Sequence, residues 1–234
     1  TPTVTHYKLA KYFLDNKIHV LLEKPMTETV AQAKKLNTIA KKNKCVLQIG
    51  HLEQFNPAIR KLRGNNCKPQ FIEVHRLCQF NPRANDVDVV LDLMIHDIDI
   101  VLSLVNKKIE NIEVSGKKIL TNLTDIANVR IKFKDNIVAN LTASRISRKN
   151  ERKMRIFSDN SYYSIDFINN ELKKIYKDKE NNFKIKNFNF KKTDTLNDEI
   201  NNFINTCLGK EKSMTTGTSG LEALVVAKKI SKGF

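Results

Sequence analysis

The sequence predicts a short α/β unit joined to a larger α+β domain whose sheet is open-faced and mainly antiparallel. Residues 1–52 alternate between helical and strand-like hydrophobic patterns, with connections of only a few residues. From Phe71 onward, most strand patterns follow one another directly. Alternating helices and strands build parallel sheets, whereas consecutive strands build antiparallel ones. We therefore expect two domains, residues 1–52 and 53–234.

Four patterns make up the α/β unit. In chain order they are a helix Thr5–Asn16, a strand His19–Leu22, a helix Thr27–Lys42 and a strand Cys45–Ile49 that ends at Gly50. Thr3 or Thr5 can cap the first helix. Strands connected by a helix lie parallel, but two strands cannot form a complete doubly wound sheet. We expect this unit to be the carboxyl-terminal remnant of a larger sheet.

The second domain is predicted from one buried helix and a long run of strands. A short helix Ala58–Arg63 and a strand Phe71–Cys78 precede the buried helix, Val90–Val105. The strands that follow are Ile109–Lys118, Ile126–Phe133, Ile137–Arg145, Lys153–Phe157, Tyr162–Phe167, Glu171–Tyr176 and Phe183–Phe190, with a hairpin turn at 134–136. Two helices, Leu196–Leu208 and Gly220–Ile230, complete the chain.

Composition limits the classes of function. The formal net charge is +16, from 41 Lys and Arg against 25 Asp and Glu. The lysines are scattered and tryptophan is absent, so a lysine-rich composition explains the charge better than a nucleic-acid surface does. The four cysteines have no metal or redox spacing, which indicates a reducing, cytoplasmic setting. The longest apolar stretch, Val89–Val105, contains three aspartates and a histidine, so we expect no membrane span.

The beginning of the chain is unusual. It opens on Thr1-Pro2-Thr3 instead of methionine, and none of its seven glycines forms a Gly-x-Gly-x-x-Gly array. We therefore expect a fragment, a truncated gene product or a trimmed chain that lacks the first βαβ units and their phosphate-binding loop.

Three residues are candidates for proton transfer. Lys24 follows an apolar strand, at the carboxyl edge where open α/β sheets bind ligands. Asp92 and His96 lie four residues apart in the buried helix, so they share one face. Either they form a self-satisfied pair in the core, or Asp92 orients His96 as a proton carrier in a cleft. Lys24 could equally be a surface lysine, and Asp97 is expected to point elsewhere, into solvent or as a cap.

Other polar residues have both a functional and a structural interpretation. Glu23 could accept hydrogen bonds from ribose hydroxyls, or pair with a surface lysine. Arg145 ends a strand of small polar residues, where it could contact a phosphate or simply be solvated. His6, His51 and His75 form no metal-binding set with cysteines or carboxylates, so we predict no metal site.

Three segments of the chain resemble the Gfo/Idh/MocA family of NAD(P)-dependent sugar oxidoreductases. They are Thr1-Pro2-Thr3-Val4-Thr5-His6, His19-Val20-Leu21-Leu22-Glu23-Lys24-Pro25 and Leu91-Asp92-Leu93-Met94-Ile95-His96-Asp97-Ile98-Asp99. The resemblance implies a truncated Rossmann-type parallel sheet in residues 1–52, a substrate-binding domain in 53–234, and NAD or NADP as cofactor. It implies catalytic roles for Lys24, Asp92 and His96. It also implies that Thr1, Pro2, His6, Glu23 and Pro25 border the nicotinamide half of the cofactor.

Two further segments, residues 50–57 and 141–145, look most like those of UDP-N-acetylglucosamine 3-dehydrogenases, although Gln54 stands where relatives usually have arginine. This similarity implies oxidation of the sugar 3-hydroxyl, ahead of amination in lipid A biosynthesis. It makes Asn56 and Arg145 candidates for substrate contact, and it implies a homo-oligomer formed through the sheet of the second domain. An inactive remnant of such an enzyme, or a basic nucleic-acid-binding module, stays open as an alternative.

Overall fold

A computed structural model describes residues 1–65, 67–81, 87–191 and 194–234. The helices are α1 (Thr3–Asp15), α2 (Val30–Lys42), α3 (Pro57–Gly64), α4 (Ile95–Val105), α5 (Thr195–Cys207) and α6 (Gly217–Ser231). The strands are β1 (Val20–Glu23), β2 (Leu47–Gly50), β3 (Pro69–Leu77), β4 (Ile109–Lys117), β5 (Ile126–Phe133), β6 (Val138–Ser144), β7 (Glu151–Ser158), β8 (Ser161–Asp166), β9 (Glu171–Lys177) and β10 (Phe183–Asn189). One π-helical turn, Val90–Met94, leads directly into α4.

The two sheets confirm the predicted fold class. β1 and β2 pair in parallel, with Glu23 opposite Gly50 at their carboxyl ends. The other eight strands form one sheet in the order β10-β9-β8-β7-β3-β6-β5-β4. Every neighbouring pair in it is antiparallel except β3 and β6. The large sheet is therefore mainly antiparallel, as expected from its consecutive strands.

The helix ends differ in detail from the sequence prediction. α1 begins at Thr3, directly after Pro2, and no side chain caps it. The prediction that Thr3 or Thr5 is the cap is therefore wrong: both lie inside the helix, and the Thr5 hydroxyl donates to the Pro2 carbonyl at 2.7 Å. Thr29 caps α2 through a capping box with Gln32. This arrangement satisfies backbone groups that the helix itself leaves unpaired.

The end of the chain returns to the small sheet. The amide of Ile49 in β2 donates to the Thr215 carbonyl at 2.8 Å, and the Asn37 side chain donates to Gly217 at 2.8 Å. α6 then packs against both α2 and α4. The two predicted domains therefore share this helix and a continuous apolar core, which places the ends of β1 and β2 beside the start of α4.

Gly50 permits a close approach at the end of the small sheet. A Cβ atom at this position would lie 2.9 Å from Oε2 of Glu23 and 3.3 Å from its Cα. A side chain at this position would displace the Glu23 carboxylate and press on the backbone of β1. The space available therefore favours glycine here, since the backbone angle is ordinary.

Candidate active site

Lys24 reaches from the end of β1 to the π-helical turn. Its ammonium group donates to the backbone carbonyl of Asp92 at 2.7 Å and lies 3.3 Å from Oδ1 of the same residue. The side chains of Lys24 and Asp92 are 21% and 28% exposed. A partly buried pair of this kind keeps a charged donor in a defined place while leaving it accessible to a ligand. Two of the three predicted catalytic residues are thus in direct contact.

Asp92 does not hold His96, contrary to both interpretations of that pair. Nδ1 of His96 is buried and has no hydrogen-bond partner among the described residues. The carboxylate of Asp92 pairs instead with the Lys24 ammonium, because an ion pair outcompetes a bond to a neutral imidazole. The helix pattern alone could not show that Asp92 pairs with Lys24, since the two residues are 68 positions apart in sequence.

The π-helical turn lies between these two residues. The amide of Ile95 donates to the carbonyl of Val90, five residues back, where a regular α-helix would bond four residues back. Before the turn, the Asp88 carboxylate accepts from the amides of Val90 and Leu91 at 2.9 and 3.0 Å. π turns occur frequently at functional sites. This one carries the carbonyl and carboxylate that bind Lys24.

His96 is half-buried at the start of α4. Burial lowers the pKa of its imidazole well below 6.5, and the charges of Arg76, Lys24 and Arg152 lower it further. The ring is therefore neutral at neutral pH and able to accept a proton. The Lys24 ammonium is close enough to His96 to contribute to this lowering of its pKa.

His51 was given no functional role by the sequence analysis, yet it lies at the centre of this region. It follows Gly50 directly at the end of β2, and it is only 1% exposed. Its ring stands perpendicular to that of His96, with 6.2 Å between the ring centroids. Burial lowers the pKa of His51, so it too is neutral. Its position after a buried strand, like that of Lys24, was the signal that could have identified it.

A buried ion pair lies beneath the site. The Arg76 guanidinium donates twice to the Asp97 carboxylate, at 2.8 Å for each bond, and once to Glu53 at 3.0 Å. Asp97 is 1% exposed, so the expectation that it is solvated or a cap is wrong. Burial alone would lower the pKa of Arg76, but Asp97 and Glu53 hold it above its ordinary value. The pair compensates charges that would be costly to bury singly.

The strand pattern contained a signal for this ion pair. Ile72, Val74 and Arg76 alternate along β3 and face the core, so Arg76 occupies an apolar position. A charged residue on the buried face of a strand requires a buried partner of opposite charge. Asp97 on α4 provides it, 21 residues away.

Gln54 takes part in a second polar cluster. Its side chain contacts Asp99, Arg63 and Ser103, and Arg63 also bonds to Ser103 at 3.1 Å. Burial raises the pKa of Asp99, while nearby His51 and the bond from Gln54 lower it. Asp99 therefore bonds to the uncharged side chain of Gln54, and Gln54 bonds in turn to Arg63, which carries the positive charge of the cluster.

The structure brings most of the predicted cofactor-binding residues together. Nδ1 of buried His6 lies 3.0 Å from the Pro25 carbonyl, and Nε2 lies 3.0 Å from the Thr1 carbonyl. His6 thus ties the first residues and α1 to the turn after Lys24. Pro2 adjoins this set at the start of α1. These contacts hold backbone segments in place and leave the predicted cofactor role untested.

Glu23 lies beside a second acidic residue. Its Oε2 accepts from the amide of Lys24 at 3.3 Å. Glu199 on α5 is buried, and burial together with the charge of Glu23 raises its pKa to about 7. Oε1 of Glu199 has no hydrogen-bond partner in the part of the chain that the structure describes. The end of β1 is therefore an acidic edge next to the Lys24 ammonium.

The two candidate substrate residues have clear structural contacts. Oδ1 of Asn56 accepts from the Ala58 amide at 2.9 Å and caps α3. Arg145 is buried, and its Nη2 donates to the Val87 carbonyl at 2.7 Å, just ahead of the π-helical turn. The alternative of a solvated strand end for Arg145 is therefore wrong. Contact with substrate stays a prediction for both residues.

No three His, Cys, Asp or Glu side chains within 1–65, 67–81, 87–191 and 194–234 are grouped so that they could hold a metal ion. Over the same ranges, no helix is both long and apolar enough to cross a bilayer.

Two family models match the chain. Residues 1–51 match the oxidoreductase family with an NAD-binding Rossmann fold, and residues 59–164 match the GFO/IDH/MocA carboxyl-terminal domain.

Individual proteins are similar over almost the whole chain. UDP-N-acetylglucosamine 3-dehydrogenase from Acidithiobacillus ferrooxidans is 34% identical over 98% of this chain and 75% of its own length. A solved structure of that enzyme covers 99% of this chain and 75% of its own chain, with a TM-score of 0.93. A dehydrogenase structure from Clostridium difficile has a TM-score of 0.82 at 23% identity, with 100% of this chain and 77% of its own covered.

Proposed function

The chain belongs to the GFO/IDH/MocA family of oxidoreductases with an NAD-binding Rossmann fold, and from this premise we propose that it oxidises a nucleotide sugar. The substrate is UDP-N-acetylglucosamine and the reacting group is its 3-hydroxyl. The cofactor would be NAD or NADP. The likeness to an enzyme of that name, at 34% identity over 98% of the chain, supports this choice of sugar.

One observation carries the proposal that the chemistry takes place here. Lys24, at the carboxyl end of a parallel strand, donates to Asp92 beside a neutral, half-buried His96. A fixed cation and a free base next to each other are what removal of a hydroxyl proton requires.

The residues at this edge fit the nicotinamide end of a dinucleotide. Ligands of open α/β sheets bind beyond the carboxyl ends of the strands, where Glu23, Lys24 and His51 lie. Nδ1 of His51 and Nδ1 of His96 are buried and have no hydrogen-bond partner among the residues described. Both nitrogens are therefore free to form a hydrogen bond with a ligand. Glu23 and the segment tied together by His6 would hold the nicotinamide half. When bound, NAD supplies the acceptor for the hydride.

The residues of the chain then divide the proton chemistry. Lys24 orients the sugar hydroxyl and stabilises negative charge on its oxygen as the proton leaves. His96 accepts that proton on its neutral ring. Asp92 holds Lys24 in position through its carbonyl and carboxylate. Asn56 and Arg145 contact the substrate.

From the likeness to UDP-N-acetylglucosamine 3-dehydrogenase we also propose that the enzyme serves the cytoplasmic synthesis of an amide-linked lipid A sugar. Oxidation at the 3-position gives a ketone that an amino-group donor can convert to an amine. An amine at this position can accept an acyl chain as an amide, as that synthesis requires.

The substrate proposal is tested on the longest form of the protein that its gene encodes. UDP-N-acetylglucosamine with NAD or NADP should yield reduced nicotinamide and a sugar product that has lost two hydrogens by mass spectrometry. Deuterium at the 3-position should slow turnover, and the 3-deoxy analogue should give none. Turnover of the 3-deoxy analogue, or of a free polyol in preference to the nucleotide sugar, would contradict the proposal.

The open face of the large sheet is proposed to pair with a second copy of the chain. It carries charges of both signs on neighbouring strands, including Arg155 and Glu73 at 3.4 Å, and a mixed row of this kind complements itself across a two-fold axis. Sedimentation should show a multiple of the 26.9 kDa chain mass. Arg155→Glu should shift it toward the monomer, while Lys11→Glu on α1 should not. A wild-type monomer would contradict the pairing.

A further inference from the structure

His96 lacks the hydrogen bond that usually orients a catalytic imidazole. Catalytic histidines are commonly held by a carboxylate or carbonyl on the second ring nitrogen. Nδ1 of His96 is buried without such a partner within the described ranges, and Asp92 is engaged by Lys24. Some other contact must therefore hold the ring in one orientation.

His51 provides the ring contact at this place. The two imidazoles meet at an interplanar angle of 90° with centroids 6.2 Å apart, the edge-to-face arrangement that aromatic rings prefer. His51 itself is fixed, since it is 1% exposed and its amide donates to the Ile49 carbonyl at 2.8 Å. A rigid ring on a strand end thus packs against a ring on α4.

We propose that His51 is a positioning residue for His96, acting through the packing of its ring. It holds the imidazole of His96 in one rotamer and keeps water from the buried nitrogen. This inference rests on the proposed function, in which His96 accepts the hydroxyl proton. His51, the residue after β2, thus has the orienting role that the sequence had suggested for Asp92.

The charges around the two rings are consistent with this role. Lys24, Glu23 and Asp99 act on His51, from β1 and α4. Arg76 on β3, Lys24, His51 and Arg152 on β7 act on His96. Burial is the largest influence on the pKa of each ring and lowers it. Burial, to which the neighbouring ring contributes, therefore matters more than any single charge.

The first test follows the titration of His96 by NMR in histidine-labelled protein, with His96→Asn used to assign its signal. Wild-type His96 should titrate well below 6.5. His51→Ala admits water, so the midpoint should rise by about one unit toward the unperturbed value. His51→Phe retains a buried ring and should leave the midpoint low. If His51→Ala destabilises the fold, His51→Gln, which replaces the ring by a hydrated amide, should raise the midpoint in the same direction.

The second test compares turnover among these variants. His51→Ala and His51→Gln should lower kcat roughly 10–100-fold with KM changed by no more than a few-fold, since the base is misplaced. His51→Phe should recover most of the loss. His19→Gln, at the opposite end of β1, serves as the matched control and should retain wild-type kcat.

Two outcomes would overturn the inference. An unchanged His96 midpoint in His51→Ala and His51→Gln would show that the ring of His51 does not shield His96. Equal loss of kcat in His51→Phe and His51→Gln would show that a ring nitrogen is needed, which is a different role. The titration does not depend on the sugar, so it decides the inference even if UDP-N-acetylglucosamine proves not to be a substrate.

Discussion

Replacing Lys24 by methionine is expected to lower kcat roughly 10²–10³-fold while NAD affinity changes by no more than a few-fold. Methionine keeps an apolar stem of similar length and removes only the ammonium group. In the proposed mechanism that group stabilises the sugar oxygen as its proton leaves, so its loss acts on the chemical step. The measurement is single-turnover kinetics on the longest encoded form of the protein, with NAD binding followed separately.

Asp92→Asn is the companion variant for Lys24. The carbonyl of Asp92 would still accept from the ammonium at 2.7 Å, but the carboxylate at 3.3 Å would be replaced by a neutral amide. We expect a smaller loss of kcat than in Lys24→Met, in the same direction. Near-normal turnover in Lys24→Met would show that the active site lies elsewhere. A loss confined to NAD affinity would make Lys24 a cofactor anchor without a proton role.

Replacing His96 by asparagine is expected to lower kcat by roughly 10²-fold or more. Asparagine is polar and of similar reach, but it cannot accept a proton near neutral pH. His96 is half-buried and makes no side-chain hydrogen bond among the described residues, so the free energy of unfolding should change little. Steady-state kinetics and urea denaturation on the same preparation check both expectations. A large loss of stability with near-normal turnover would make His96 a core residue.

The pH dependence of stability provides a second readout for His96. Its pKa is well below 6.5 in the folded protein and close to 6.5 in the unfolded chain. Between these two values the unfolded chain binds a proton that the folded protein does not, so the free energy of unfolding falls as pH falls below 6.5. The fall should be smaller in His96→Asn than in the wild type. An identical fall in both proteins would contradict the lowered pKa.

The sequence alone determined the order of the helices and strands and the position of Lys24 at the carboxyl end of β1. Apolar periodicity is a local property, so it predicted β5 within the correct residues and the succession of strands from β4 to β10. The position of Lys24 after a buried strand also predicted that it lies at the carboxyl edge of the parallel sheet, because all strands of such a sheet end at the same edge. Both depend only on residues close together along the chain.

Only the tertiary structure decided which polar groups are partners. Lys24 bonds to Asp92 across 68 residues, and Arg76 to Asp97 across 21. The contact between the rings of His51 and His96 likewise joins a strand end to a helix. Spacing within α4 suggested an Asp92–His96 pair, but a buried charge takes the best opposite charge that packing brings within reach. That choice depends on how β1, β2 and β3 pack against α4, which no local pattern contains.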